Sequence, residues 1–283
     1  QQALAQEGQE LAADPPLLAG MGTVGNAVAS GLSGPGRPWL GALRDQVLGV
    51  KMISGRAEVL TFGGQVMKNV AGYDIARLMN GSFGGLGLIL EVSLRVRPKP
   101  ARVMTLMFAA PPLRSLELCR SVARQPFPLT GTFWCNGQLF MRLSGTEAGL
   151  RKANQHLGGE IYAAGELWRD IRDHQHDFFK PSAPDRAPGA ALYRLVVPPA
   201  APMPEEPAGT MAVEWGGGLR WLWHADAQAV SDYVDQVGGW AWRLGTPWPV
   251  DVATRALTTR LQCAFDPEQI FYSSMLQAAD HAD

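Results

Sequence analysis

Cysteine is scarce in this chain: Cys119, Cys135 and Cys263 are the three among 283 residues, and no two form C-x-x-C. That spacing argues against an iron–sulfur cluster or structural zinc site made from this chain alone. An odd, sparse set also suits a reducing cytosol. No excess of positive charge exists either. Lys+Arg number 25 against 26 Asp+Glu, a formal charge of -1, so no basic field draws the chain to nucleic acid or anionic lipid. No uninterrupted apolar run approaches the ~20 residues of a membrane helix. Residues 1–19 lack the basic-then-apolar pattern of a secretory signal. A cytoplasmic location follows, with any membrane association peripheral and through partners. The signatures G-x-S-x-G, H-E-x-x-H and G-x-x-x-x-G-K are absent.

What is present is a globular mixture, 46% hydrophobic and 18% charged, long enough for two domains. Near the start, Gly20, Gly22 and Gly25 match the dinucleotide fingerprint G-x-G-x-x-G, with Asp45 downstream. A nicotinamide fold would need a buried strand before the glycines and a long helix after them. Here Pro15-Pro16 spoil the strand, and Gly31, Gly34 and Pro35 break the helix. Asp45 also precedes the apolar run "VLGVKMI" instead of ending a strand. The match is therefore accidental. The small residues and hydroxyls of the stretch (Thr23, Ser30, Ser33) leave two readings open: a backbone that lets a phosphate approach, or a turn that only packs.

Along the chain, residues 1–19 read as a short helix followed by an extended Pro-Pro segment. "QVLGVKMIS" and "AEVLTFGG" are β-like around a turn at Ser54–Arg56, and a short helix runs from Asp74 to Met79. "GLILEVSLRVRP" alternates, placing Leu88, Leu90, Val92, Leu94 and Val96 on one face of a strand. Pro98 and Pro100 mark a boundary. Beyond it the order is strand (101–109), helix (113–124), strand (132–143), helix (146–157) and a helix around 166–179. After Pro/Ala-rich loops come the strands "ALYRLVVP", "MAVEWGG" and "LRWLWHA", a helix (227–237) and "WAWRL". This order suggests an α+β, ferredoxin-like layer. No internal repeat is evident.

Three segments, "TVGNAVASGLSGPGRPWLGALRDQVLGVKMISG", "LTFGGQVMKNVAGYDIARLMNGSFGGLGLILEVSLRVRPKP" and "FDPEQIF", resemble the FAD-binding domain of vanillyl-alcohol-oxidase (PCMH) type. "MKNVAGYDIARLM", "LWRDIRDHQHDFF" and "VEWGGGLRWL" are similar to the flavin-binding E subunits of bacterial glycolate oxidases. The resemblance implies an α+β chain divided as 1–100 (second subdomain of the FAD-binding domain), 101–260 (ferredoxin-like cap) and 261–283 (C-terminal segment). It places the family's phosphate loop upstream of anything in this sequence. It implies FAD as cofactor, lined by Thr23, Val24, Gly25, Asn26, Ala29, Ser33 and Gly34, with the run "GLGLI", Gly85 to Ile89, as the strand whose backbone meets the adenine end. Asn26 stands where that family usually has glycine. The implied activity is oxidation of a 2-hydroxy acid, glycolate to glyoxylate. A larger flavin subunit and an iron–sulfur subunit would be its partners, and no base in this chain can be named. The rival expectation is a non-catalytic scaffold or assembly subunit that keeps the fold without flavin.

Other polar residues carry lesser expectations. Lys68, Asn69, Tyr73 and Asp74 are read as a polar network supporting the flavin, against Asp74 as a helix cap. Arg44 and Asp45 are read as an ion pair ordering a loop. His174 and His176, if helical, point about 200° apart, so one metal cannot take both. Trp215, Trp221, Trp223, Trp240 and Trp242 are expected in a packed sheet.

Overall fold

The structure is a computed structural model that describes residues 2–17, 22–64, 73–182, 186–206 and 210–276. The chain divides into two compact units. The first comprises Gln1–Ser33, Gly41–Pro98 and Gly245–Asp283; the second comprises Gly34–Leu40 and Lys99–Leu244. The expected boundary near 100 is close to this division. The segments 34–40 and 245–260 are assigned differently, because sequence order alone does not show where the chain crosses between cores.

The first unit holds five strands: β1 (Gln9–Leu11), β2 (Val47–Ile53), β3 (Val59–Gly63), β4 (Leu88–Leu94) and β5 (Val96–Pro98). β2 lies between β3 and β4 in one antiparallel sheet, and β1 pairs with β5 in another. β1 was not expected from the sequence, which read as helix then Pro-Pro. Arg97 fixes that pairing through an ion pair to Glu10 at 2.5 Å. Val47, Val50 and Met52 of β2 are buried with Val28, Leu43 and Met79. The face expected for β4 is only partly right. Its register to β2 slips between Lys51 and Met52, so Leu90 is an extra residue. Such a bulge swaps the faces of the strand. Leu88 and Leu90 are 53% and 44% exposed, while Ile89, Val92 and Leu94 pack on the core. A short helix Ile75–Leu78 is capped by Asp74, whose carboxylate accepts from the Arg77 amide at 3.2 Å. The helix Val252–Phe265 contributes Leu261 and Phe265 to the same core.

The second unit is built on one antiparallel sheet of eight strands: β6 (Arg102–Ala109), β7 (Leu129–Cys135), β8 (Gln138–Gly145), β9 (Glu160–Tyr162), β10 (Ala191–Val196), β11 (Met211–Glu214), β12 (Leu219–His224) and β13 (Trp240–Arg243). The expected single strand 132–143 is a hairpin, β7 and β8. Its turn is Asn136-Gly137, both at positive φ (49° and 76°), as an Asn-Gly hairpin turn requires. Helices Pro112–Ala123, Glu147–Leu157 and Ala227–Val237 carry buried residues into a core on one face of the sheet.

The sheet order is β13-β10-β12-β11-β7-β8-β6-β9. It contains one arrangement twice. The chain runs β6, helix, β7, β8, helix, β9 with spatial order β9-β6-β8-β7, a ferredoxin-like unit. It then runs β10, β11, β12, helix, β13 with spatial order β13-β10-β12-β11. The halves join where β7 pairs with β11. In the second half a proline-rich stretch after Val196 replaces the first helix. It is held by Arg220, buried on the helix-bearing face, which donates to the carbonyls of Ala201 (2.6 Å), Pro202 (2.5 Å) and Gly217 (3.3 Å) and to the Tyr233 hydroxyl. The repeat was invisible in the sequence because the missing helix removes the periodicity that would mark it.

Candidate functional site

The glycine-rich stretch forms the helix Val24–Ser30. Thr23 caps it, its hydroxyl accepting from the Asn26 amide at 3.1 Å. With that bond made and Ala27 N–H bonded to the Thr23 carbonyl, the Val24 and Gly25 amides have no intrahelical acceptor. This turn faces outward: Thr23, Val24 and Asn26 are exposed. A Cβ added to Gly25 would meet nothing closer than Thr23 Oγ1 at 3.8 Å. The other end of the helix is closed. Gly31 adopts φ 64° there, and a Cβ on it would lie 3.0 Å from Asn80 Oδ1. The Val28 and Ala29 carbonyls accept from Gly81 and Phe83 amides.

Of the residues expected to line a cofactor, Thr23, Val24, Gly25 and Asn26 therefore share one open turn. Ala29 has its carbonyl engaged in packing, and Ser33 is half-buried. Ile89 sits on the core side of β4. Gly34 lies in the second unit, where its carbonyl accepts from the Trp215 indole at 2.9 Å. Lys68 and Asn69 lie outside the described residues; Tyr73 is 93% exposed and Asp74 is the helix cap. Arg44 and Asp45 do not pair: Asp45 accepts instead from the Ala42 amide at 3.3 Å, which orders the turn Leu43–Gln46. A half-open cavity of about 350 Å³ in the first unit is lined by Gly85, at the start of the run expected near the adenine, and by Arg255, Thr259, Gln262 and Cys263.

The densest chemistry in the second unit lies on the sheet face opposite the three helices. Strand β10 carries Arg194 there, paired across the sheet with Trp221 and Trp242. Arg194 is 6% exposed. Its guanidinium carbon lies 5.1, 5.9 and 5.8 Å from the ring centres of Trp215, Trp221 and Trp240. Arg37 lies over the same Trp215 ring at 4.9 Å. Glu214 accepts from the Trp221 indole at 2.6 Å. Burial lowers the Arg194 pKa to about 10, against the opposing pull of the Glu214 carboxylate and with a smaller push from Arg37. The group stays cationic at neutral pH.

His174 borders this cluster. The expected helix 166–179 ends at Arg172, His174 takes φ 56°, and His176 caps a 3-10 turn. The His174 ring stacks on Phe179 and meets Trp221 edge-on, both at 4.7 Å. Burial first, then Arg194, lowers its pKa to about 4, against a smaller pull from Asp173. Burial also lowers that of His176, whose ring meets Phe133 at 5.0 Å. Trp215 too has a left-handed backbone, φ 55°. Cys119 and Cys135 are pushed up to about 12 by burial and are inert thiols. Among the described residues the site thus offers cations and indoles, with His174 held neutral. Sequence reasoning passed over Arg194; its one signal was a lone charge inside the apolar run "ALYRLVV".

Compared with known proteins, the chain is 41% identical over 220 residues to the glycolate oxidase subunit GlcE of Escherichia coli (strain K12). The chain is similar to that subunit. The match covers 78% of the chain and 60% of that relative's length. Shorter stretches match other proteins. A D-lactate dehydrogenase of Anaerostipes hadrus is 35% identical over 105 residues, 37% of this chain and 22% of that protein. A D-2-hydroxyglutarate dehydrogenase of Xanthomonas citri pv. viticola is 36% identical over 86 residues, 30% and 18% of the two chains. No family model matches. Among solved structures, an alkyldihydroxyacetonephosphate synthase superposes with a TM-score of 0.62 at 13% identity, covering 95% of this chain and 61% of that one. This likeness shows the fold of the chain, α+β and of the same PCMH type as that synthase.

Proposed function

We propose that this chain is the FAD-binding subunit of an FAD-linked glycolate oxidase, acting on a 2-hydroxy acid within a multi-subunit complex. The observation that carries the reading is the 41% identity to GlcE over 78% of the chain. The stretches shared with D-lactate and D-2-hydroxyglutarate dehydrogenases agree with it. The open turn fits the cofactor chemically. It has two backbone amides without intrahelical partners, a bare Gly25 and an exposed Asn26 amide, a donor set suited to a phosphate or a flavin carbonyl. Thr23 orients that turn, and Val24, Gly25 and Asn26 would hold the group. When bound, FAD supplies the electron acceptor for converting glycolate to glyoxylate; the protein binds, orients and shields it. The larger flavin subunit and the iron–sulfur subunit belong to this reading as partners, in a cytoplasmic complex that meets the membrane only peripherally.

A second reading is a scaffold subunit that keeps the fold without flavin. Asn26, which stands where the resembled family usually has glycine and so lets a cofactor approach the backbone less freely, favours it. Absorbance of the purified full-length protein between about 350 and 500 nm separates the two, since that region reports the cofactor's own electronics. Flavin bands that disappear in Gly25→Val, with folding unchanged, support the first reading. A colourless wild-type protein, with and without added FAD, supports the second.

A further inference from the structure

We propose that Arg194, with Arg37 across the Trp215 indole, forms a recognition site for a small carboxylate anion in the second unit. The argument begins with a comparison inside the molecule. Among the described residues two arginines are buried, Arg220 at 1% and Arg194 at 6% exposed, on opposite faces of one sheet. Arg220 gives its protons to three carbonyls and a hydroxyl. The fold can therefore satisfy a buried guanidinium completely. Arg194 makes no hydrogen bond and no ion pair within 4.0 Å among the described residues; its neighbours are the faces of three indoles. A guanidinium carries five donors in a planar fork, and buried charges are normally paired or hydrogen-bonded. The fork is open to an acceptor that the described residues do not provide.

The charge balance gives the sign of that acceptor. Arg194 and Arg37 lie against one indole; Glu214 is the carboxylate that Arg194 senses, and one of its oxygens is committed to Trp221. Asp173 is held by Arg172 at 2.7 Å, and His174 is neutral. Arg37 adds a second, exposed cation over the same indole, and the aromatic rings around Arg194 lower the local dielectric and so strengthen its attraction for an anion. The narrow exposure of Arg194 suits a flat, small group, and a carboxylate matches a guanidinium through two parallel bonds. The two residues with left-handed backbones beside it, Trp215 and His174, are further signs of a site held in place at some cost.

Choosing glycolate as the probe rests on the proposed function; the site itself does not. Isothermal titration calorimetry of glycolate into the full-length protein tests it, with ethylene glycol as the uncharged control. Wild type is expected to bind glycolate saturably and ethylene glycol not at all. Arg194→Met should weaken binding at least about tenfold, the loss of a charge-assisted bidentate pair. Arg194→Lys, which keeps charge and loses the fork, should also bind more weakly. Arg37→Met should bind less tightly and with less dependence on salt. No saturable binding to wild type, or wild-type affinity in folded Arg194→Met or Arg194→Lys, overturns the proposal. Flavin absorbance of the same samples keeps the two readings apart. Binding to flavin-free protein sustains the site although the cofactor reading fails, and flavin-loaded protein that ignores glycolate refutes the site alone.

Discussion

The buried His174 makes stability depend on pH in a way that can be worked through. Its pKa is about 4 in the folded chain against an ordinary 6.5. The folded value is lower, so between the two values the unfolded chain binds more protons. Stability is full above about pH 6.5 and is lost as pH falls toward 4. At about 1.4 kcal/mol per pH unit, the linkage integral gives a loss of about 2 kcal/mol between pH 7 and pH 5. His174→Asn removes the titrating ring. Asparagine tolerates the left-handed φ of 56°, so the variant tests protonation and not backbone strain. It should be less stable than wild type at pH 7, having lost the stack on Phe179 and Trp221, but its stability should fall by about 2 kcal/mol less between pH 7 and pH 5. Urea unfolding followed by tryptophan fluorescence measures this in the second unit, which holds eight of the nine tryptophans. His176 also has a lowered pKa and contributes a slope of the same sign to both proteins, so the difference between them isolates His174. An identical pH dependence in wild type and His174→Asn would refute the assignment of a neutral, buried imidazole.

Other outcomes follow from the same packing. Trp221→Ala removes a side chain 2% exposed and should cost about 3–5 kcal/mol in urea unfolding. Arg220→Met orphans the Ala201 carbonyl and leaves Pro202 only its bond from the Tyr233 hydroxyl; it should cost roughly 2–4 kcal/mol, with faster amide exchange in the proline-rich stretch. Arg194→Met keeps contact with the indoles but loses a cation–π attraction of about 0.5–2 kcal/mol and leaves Glu214 buried without the opposite charge; urea unfolding should find it less stable than wild type, and Arg194→Lys, which keeps the charge, less affected. Gly31→Val meets both a left-handed φ and Asn80 and should lower the melting temperature of the first unit, unlike Gly25→Val, whose side is open.

Much of the fold was legible because helices of the second unit carry plain signals: a cap, an apolar face and a glycine stop. Thr146 and Gly158, or Asp226 and Gly238, bracket their helices as the local chemistry requires. The strands were harder. β7 is buried along its whole length, so it lacks alternation, and it merged in the reading with β8 across a turn whose Asn-Gly signal was passed over. The bulge at Leu90 exchanged the faces of β4 because one added residue reverses the pleat for every position beyond it. His174 ended a helix that the apolar pattern alone would continue. The site was legible only in part. The glycines near residue 25 stood out through resemblance, whereas Arg194 becomes visible only when β10, β12 and β13 bring distant tryptophans around it.

The two buried arginines show how one duplicated sheet serves structure on one face and recognition on the other. Where the second half lost a helix, the chain crosses the sheet as irregular backbone, and its carbonyls need donors. Arg220 provides several at once, so its charge is consumed by the fold. Tyr193 and Leu195, next to Arg194 on β10, fall on that same helix-bearing side. Arg194 itself points to the face where no helix of the repeat lies, and there aromatic rings, which cannot neutralise a charge by accepting in-plane hydrogen bonds, surround it. Rings exclude water without spending the guanidinium's donors. That combination raises the cost of the bare cation and the reward for an anion by the same physical cause, the low dielectric of the aromatic wall. Glu214 is a buried carboxylate that acts on Arg194, so removing Arg194 alone would leave that charge unpaired, which is costly. The five donors of the guanidinium are nonetheless unspent on the described residues, and they are what an incoming anion would use.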